Sequence, residues 1–323
     1  MYYLGVDLGG TTIKVGLVNK QYQILQSISG PTRRERSSEE VLKDVAMLCL
    51  EVMRLQGITE KEIHSIGMGS PGVASPNEGM ILSASNLKFK HVNVRKEIQK
   101  YINTDVYVEN DANCAALGEV ICGAAKGESN VVVVTLGTGV GGGIVTEGKI
   151  NRGSFFGAGE IGHQVICYEN GIPCGCGRKG CWEQYASATA LIRQAKTAVE
   201  KTPESLILSL VKDQNKDNIN AKVVFDAAQK GDQVAKNVLE KYFKYIACGL
   251  MNIINILEPS MIVLGGGMSA QKAYLTDPVT KYLQEEMYDG LSLKTKIKAA
   301  ILGNDAGIIG AAFLGTTLEM HDE

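Results

Sequence analysis

Tyr2-Tyr3-Leu4-Gly5-Val6-Asp7-Leu8-Gly9-Gly10-Thr11-Thr12-Ile13-Lys14-Val15-Gly16-Leu17-Val18 is an apolar run, a Gly/Thr turn and a second apolar run. The β-rich stretches Tyr2 to Val6 and Ile13 to Val18 read as an antiparallel hairpin. Tyr22 to Ser27, set off by Asn19-Lys20-Gln21, extends it to a meander. The pattern returns in mid-chain. Val131 to Thr135 is wholly apolar until its last residue, as in a strand covered on both faces. It leads through Leu136-Gly137-Thr138-Gly139-Val140-Gly141-Gly142-Gly143 into another strand, Ile144 to Thr146. Two such strand–turn–strand units point to duplication of one α/β unit.

Outward from the first hairpin, Ser37 and Ser38 precede Glu40 in a capping-box pattern, and Val41, Val45, Leu48, Val52 and Leu55 recur at helical spacing up to Gly57. Strands follow around Ile63 to Met68 and Val106 to Glu109, continuing an α/β alternation. Ala186 to Lys212 and Asn220 to Leu257 read as largely helical, with a polar break over Asp213 to Asn218. Met261 to Leu264 is a further buried strand, ending in Gly265-Gly266-Gly267. Asn304 or Asp305 is placed to cap a last helix, Ala306 to Leu318. The 323 residues are enough for two domains. Without low-complexity linkers, the boundary is placed by motif near Cys114.

The net charge of −2 gives no electrostatic reason to expect nucleic acid or an anionic membrane as a partner. The start lacks a basic, apolar secretory leader, and the longest uncharged stretch, Ser129 to Thr146, is broken by five glycines. Eight cysteines in such a chain read as reduced thiols or metal ligands, so a cytoplasmic location is expected.

Three Gly-rich turns at strand ends carry the first chemical signal. In Asp7 to Lys14, glycines let backbone N–H groups approach phosphate oxygens, threonine hydroxyls add donors, and Asp7 can hold Mg²⁺ through water. A plain β-turn uses the same residues. The spacing is neither a Walker loop nor a dinucleotide fingerprint, because a strand follows rather than a helix. Thr135 to Gly143 would supply a second set of donors. Gly265-Gly266-Gly267 leaves room for a flat ring or ribose against the backbone. Glu109-Asn110-Asp111-Ala112-Asn113 joins a strand to a helix beginning at Ala112. A carboxylate there can accept a hydroxyl proton as that oxygen attacks a γ-phosphorus, or it can simply cap the helix.

Gly162-His163 followed by Cys174-Gly175-Cys176-Gly177-Arg178-Lys179-Gly180-Cys181 offers one histidine and three thiols. That set closes a tetrahedral Zn²⁺ site without an open position, which makes it structural. The remaining cysteines, Cys49, Cys114, Cys122, Cys167 and Cys248, lie mostly among apolar residues. Glu160 and Glu183 flank the site, where a stiffened loop would suit them to sugar hydroxyls; both can equally be solvated acids. His64, His91 and His321 have no partner pattern.

Taken in order, Asp7-Leu8-Gly9-Gly10-Thr11, Gly69-Ser70-Pro71-Gly72, Glu109 to Asn113, Leu136 to Gly141, Gly159-Glu160-Ile161-Gly162-His163, the cysteine knuckle and Leu264 to Gly267 resemble the ROK family of sugar kinases and sugar-responsive repressors. The resemblance implies an α/β fold of two actin-like ATPase (ribonuclease H-like) domains around a central cleft. It implies a smaller domain of residues 1–113 plus 304–323, with the last helix returning to it, and a larger one of residues 114–303. It assigns the general base to Asp111 and sugar contacts to Gly72, Asn86, Asn110, Asp111, Glu160, His163 and Glu183. His163 would present one ring nitrogen to sugar and the other to zinc, alongside Cys174, Cys176 and Cys181. ATP with Mg²⁺ would lie on Asp7, Gly9, Gly10, Thr11, Thr12, Thr135, Gly137, Thr138, Gly139, Gly265, Gly266 and Gly267. The length and the helical stretch from Ala190 to Lys244 look most like the family's Gram-positive-type glucokinase branch, implying D-glucose as substrate and a homodimer or homotetramer. An N-acetylmannosamine kinase would share nearly every motif. A sugar-sensing repressor would carry a helix-turn-helix ahead of the sugar domain, and here Asp7 follows the start directly.

Overall fold

A computed structural model describes residues 1–319. By packing, the chain divides into two units: Met1–Val133, Gly143–Gly159 and the segment from Ile301 onward form one, and Val134–Gly142 with Glu160–Ala300 the other.

In the first unit, β1 (Tyr2–Leu8), β2 (Thr12–Val18) and β3 (Ile24–Pro31) form the expected antiparallel meander. β3 begins later than expected because Tyr22 turns the chain at φ +64, and the Asn19 side-chain Oδ1 accepts from the N–H groups of Gln21 and Gln23 across that turn. Helix α1 (Ser38–Leu55) starts with a true capping box between Ser37 and Glu40. Its buried stripe, including Val41, Leu42, Val45, Cys49 and Val52, packs on the sheet. Each large side chain so covered contributes roughly 1.5–3 kcal/mol before chain entropy is subtracted. Strand β4 (Ile63–Ser70) then runs parallel to β1. Three short strands, β5 (Val73–Ser75), β6 (Met80–Ala84) and β7 (Phe89–Asn93), make a small antiparallel sheet. Helix α2 (Val94–Gln99) leads to β8 (Asp105–Asn110), which is parallel to β4, and α3 (Asp111–Ile121) follows at once. The sheet order is β3-β2-β1-β4-β8.

Strands β9 (Val131–Leu136), β10 (Val140–Thr146) and β11 (Lys149–Ile150) open a second five-stranded sheet. β10 begins at Val140, so Gly141, Gly142 and Gly143 lie in a strand, and the turn is only Gly137-Thr138-Gly139. The helical segment comprises α4 (Glu183–Ala186), α5 (Ala188–Lys201), α6 (Leu206–Ser209), α7 (Ala221–Gln229) and α8 (Gln233–Leu257). Its polar break carries two short 3₁₀ turns, at Lys212–Gln214 and Lys216–Asn218. Then come β12 (Met261–Gly265), α9 (Ala273–Glu285) and β13 (Lys296–Ala299). The order β11-β10-β9-β12-β13 repeats the first sheet, with an antiparallel β10–β11 pair and a parallel β12–β13 pair in the matching places. Duplication of one α/β unit would give such a repeat.

The chain ends on the first unit. The expected last helix is two, α10 (Ala306–Ala312) and α11 (Leu314–Glu319), interrupted at Phe313. Neither Asn304 nor Asp305 caps it by a side chain; Asp305 is already helical, at the end of a 3₁₀ turn that feeds straight into α10. Helix α10 packs on α3 and β1, and Cys114 and Leu117 of α3 share a core with Ala311 and Leu314. The break expected after residue 113 falls inside α3, whose whole length this packing retains in the first unit. Among the described residues no helix is long and apolar enough to cross a membrane.

Candidate active site

The parallel strands β1, β4 and β8 end side by side: register aligns Asp7 with Gly69, Gly69 with Glu109, and Ser70 with Asn110. Ligands of open α/β sheets bind beyond such carboxyl ends. Asn110 closes β8 and caps α3, its Oδ1 accepting from the N–H of Ala112 at 2.9 Å and of Asn113 at 3.2 Å. The cap therefore belongs to Asn110, and α3 starts one residue earlier than expected. Asp111 stands in the first helical turn with an exposed carboxylate, its Oδ1 accepting the Ala112 N–H at 2.9 Å. The Asn110 amide nitrogen also donates to the Gly72 carbonyl at 3.0 Å. Gly72 has φ +88, and a Cβ there would lie 2.0 Å from the Ser83 carbonyl oxygen, so glycine is required. Asn86 borders the first Gly-rich turn: a Cβ on Gly10 would meet its Cβ at 3.7 Å.

That turn is held by its own backbone, Gly9 N–H donating to Thr12 at 3.0 Å, and by a residue the sequence reading passed over. Thr32, fully buried, donates its hydroxyl to the Gly9 carbonyl at 2.6 Å and its N–H to Thr11 at 3.0 Å. Asp7 pairs with Lys14 at 3.8 Å and is 30% exposed, leaving a solvent side where a hydrated Mg²⁺ fits. Burial raises the Asp7 pKa, with Lys14 opposing. A carboxyl whose folded pKa is raised weakens the fold as pH climbs through its range and it ionises. Asp7→Asn is accordingly expected to keep or raise the melting temperature at neutral pH while turnover drops. A clear loss of thermal stability would contradict this account.

In the second unit, Gly137 N–H donates to the Gly139 carbonyl at 3.0 Å, Ala188 N–H to Gly137 at 2.8 Å, and the Thr189 hydroxyl to Thr138 at 2.8 Å. The start of α5 thus fastens the turn. Glu183 fastens it too: its Oε2 accepts the Val140 N–H at 3.2 Å. Gly266, φ +73, turns the third glycine stretch against the end of β9; a Cβ there would lie 2.5 Å from the Leu136 carbonyl oxygen. Thr135 lies against Gly265, whose added Cβ would meet the threonine methyl at 3.7 Å. The structure therefore brings the second and third turns together, with Glu183 against the second.

The knuckle assembles as expected. One donor atom from each of His163, Cys174, Cys176 and Cys181 lies within 4.8 Å of the others. His163 Nδ1 faces Cys174 Sγ at 3.7 Å, and Cys176 Sγ is 3.6 Å from Cys181 Sγ. The other ring nitrogen, Nε2, points to Glu160 Oε2 at 3.9 Å, so the imidazole divides between the thiols and the carboxylate. The Arg178 backbone N–H, above other causes, pulls the exposed Cys176 thiol down to about 7. A closed set of one imidazole and three thiols, with a ready thiolate, fits structural Zn²⁺. Arg178 donates to the His163 carbonyl. The anchor is Trp182: fully buried, it donates its indole N–H to Tyr245 of α8 at 2.7 Å, and a Cβ on Gly249 would strike its ring at 2.1 Å. Of the remaining histidines, His64 stands edge-on to Tyr3 at 5.2 Å, His91 lies in β7, and His321 is outside the described residues.

Also unread in the sequence is the pair Arg152–Glu109. Arg152 Nε donates to Glu109 Oε2 at 2.5 Å, and Glu109 is only 2% exposed. Its other oxygen accepts from Asn110 N–H at 2.9 Å and Asn113 Nδ2 at 3.0 Å.

The profile described as the ROK family matches residues 3–317. The chain belongs to the ROK family. A glucokinase of Halalkalibacterium halodurans is 35% identical over 314 residues, 97% of this chain and 94% of that one. One of Streptomyces coelicolor is 36% identical over 313 residues, 96% of each. The crystal structure of a ROK family glucokinase from Streptomyces griseus in complex with glucose and AMPPNP superposes with a TM-score of 0.83 at 34% identity, covering 97% of this chain and 99% of that one. ROK membership gives the fold its name: mixed α/β of the actin-like ATPase type, with the repeated sheet order as its mark here.

Proposed function

We propose that this ROK chain is an ATP-dependent glucokinase, converting D-glucose and ATP to glucose 6-phosphate and ADP. Glucokinases at 35–36% identity over nearly the full length support the reaction, and the glucose and AMPPNP of the Streptomyces griseus complex support both substrates. The observation that carries the catalytic reading is the division of labour at α3, where Asn110 caps the helix and Asp111 turns a solvent-facing carboxylate outward beside it.

Asp111 takes the proton of the glucose 6-hydroxyl as that oxygen forms its bond to the γ-phosphorus. The bond from phosphorus to the β–γ bridging oxygen breaks, and ADP leaves with the electron pair. Gly72, Asn86, Asn110, Glu160, His163 and Glu183 are the residues assigned to the sugar hydroxyls. The Gly9–Thr12, Thr135–Gly139 and Gly265–Gly267 turns present backbone N–H groups and hydroxyls to the nucleotide. Asp7 would hold Mg²⁺, which would supply charge neutralisation on the phosphates. His163, Cys174, Cys176 and Cys181 would hold Zn²⁺, which would supply rigidity and no chemistry. The thiol-rich composition supports a reducing, cytoplasmic setting.

A coupled ADP-release assay against glucose, N-acetylmannosamine, N-acetylglucosamine, fructose and allose tests the proposal. Glucose should give the highest kcat/KM by at least about tenfold, the low end of what one extra or missing group in a pocket is worth. A higher value for N-acetylmannosamine would replace the substrate but leave the reaction class standing.

A further inference from the structure

A buried ion pair is costly to keep, since desolvation of both partners opposes their attraction. Glu109 and Arg152 form one directly behind the proposed base: Glu109 is two residues before Asp111, 2% exposed, and Arg152 reaches it at 2.5 Å with its side chain only 19% exposed. The pair does more than neutralise itself. Glu109 Oε1 receives both the Asn110 backbone N–H and the Asn113 side-chain amide, the residues on either side of Asp111 and Ala112. Those same two residues are joined a second time, because the Asn110 cap accepts the Asn113 N–H. The first turn of α3, with Asp111 inside it, is therefore framed from the strand side by one carboxylate whose second oxygen is fixed by Arg152. Arg152 belongs to the Asn151–Gly159 segment, itself closed by Ala158 N–H donating to the Arg152 carbonyl at 3.1 Å and Gly153 N–H to Asn151 Oδ1 at 3.0 Å.

From this network we infer that Arg152 is a positioning residue for phosphoryl transfer, acting through Glu109 on the orientation of the helix turn that carries Asp111. The inference rests on Asp111 being the base. Its physical content is that in-line transfer depends on placement, where an error of about 1 Å costs roughly 100-fold. Lys cannot reproduce the planar fork of Arg, so Arg152→Lys keeps the charge and loses part of the geometry.

Arg152→Met and Arg152→Lys are made in the full-length enzyme, each alone and in combination with Asp111→Asn, and kcat, glucose KM and thermal melting are measured. Arg152→Met should lower kcat by about 10- to 100-fold with glucose KM changed by less than about threefold, and Arg152→Lys should fall between it and the parent. In the Asp111→Asn background the same substitutions should cost little further, since a residue that acts by placing the base has nothing left to place. If Arg152→Met is too unstable to assay, Arg152→Lys decides the matter by the same criteria. Unchanged kcat in both Arg152 variants, or a full multiplicative loss in the Asp111→Asn background, would overturn the inference while leaving the base standing. Near-parental turnover of Asp111→Asn alone would instead remove the reading on which it rests.

Discussion

Asp111→Asn is expected to reduce kcat by about 10²- to 10⁴-fold, the range that general-base catalysis commonly supplies, with glucose affinity altered only a few-fold. The expectation follows from what the substitution leaves in place. Asn is isosteric with Asp and its carbonyl oxygen can still accept the Ala112 N–H now bonded to Asp111 Oδ1. The cap is supplied by Asn110, so α3 loses no terminal hydrogen bond. A helix N-terminus favours an anion by a few tenths to about 1 kcal/mol at an exposed site, and losing that would shift the melting temperature by at most a few degrees. Turnover and stability should thus separate. Equilibrium glucose binding measured beside steady-state turnover checks this, and a variant that turns over glucose within a few-fold of the parent would take the base away from Asp111.

Why the site was partly legible in the sequence can be traced residue by residue. Chemistry that depends on a local run was readable. Cys174, Cys176 and Cys181 with His163 sit within nineteen positions, and the structure closes them to within 4.8 Å. The hairpin around Gly9-Gly10 was readable for the same reason, as was the Ser37/Glu40 box. Partnerships across long separations were not. Arg152 and Glu109 lie 43 residues apart, Trp182 and the Tyr245 carbonyl 63 apart, and Thr32 and Gly9 23 apart. Nothing in their own neighbourhoods marks them, since an Arg in a loop or a Thr after Pro31 reads as solvated surface. The small sheet β5-β6-β7 escaped for another reason: its strands are short and half-exposed, so alternation has no room to develop. At Asp111 the sequence offered cap and base as alternatives, and only the backbone conformation of Asn110, φ −64 and ψ 143, assigns the cap to the preceding residue.

The repeat of sheet order has a consequence for how the two sets of site residues arise. In the first sheet, Asp7 is the last residue but one of β1, and the hairpin turn after Leu8 carries Gly9 to Thr11. In the second, Leu136 ends β9, and the equivalent turn carries Gly137 to Gly139. The repeated element is thus a glycine-containing turn between neighbouring strands of each sheet. The carboxylate is not duplicated: Asp7 has no acidic counterpart at the end of β9, where Thr135 and Leu136 stand instead.

Removing the proposed zinc should have the second large effect, and Cys176→Ala is the variant that isolates it. Of the three thiols, Cys176 alone is exposed, whereas Cys174 and Cys181 are buried, so truncating it opens no cavity in a packed core. The loss should therefore report metal ligation and little else. Losing an outer-shell partner typically weakens a metal site 10- to 100-fold, and losing a direct ligand should exceed about 100-fold. The knuckle holds two residues of the proposed sugar site: His163 is itself one of the four proposed ligands, and Glu183 lies two positions after Cys181, with Cys174 Sγ 3.8 Å from its Oε1. Glu183 also accepts the Val140 N–H beside the Gly137–Gly139 turn, so slackening the knuckle should disturb nucleotide and sugar contacts together. We expect zinc content by elemental analysis to fall well below one per chain, glucose KM to rise by at least about tenfold, and ATP KM to rise with it. Trp182, locked between Tyr245 and Gly249, should keep α4 and α8 folded, so the loss should be local rather than global. Zinc retained at full stoichiometry in Cys176→Ala would remove that cysteine from the ligand set. Zinc lost with both KM values unchanged would detach the knuckle from the active site.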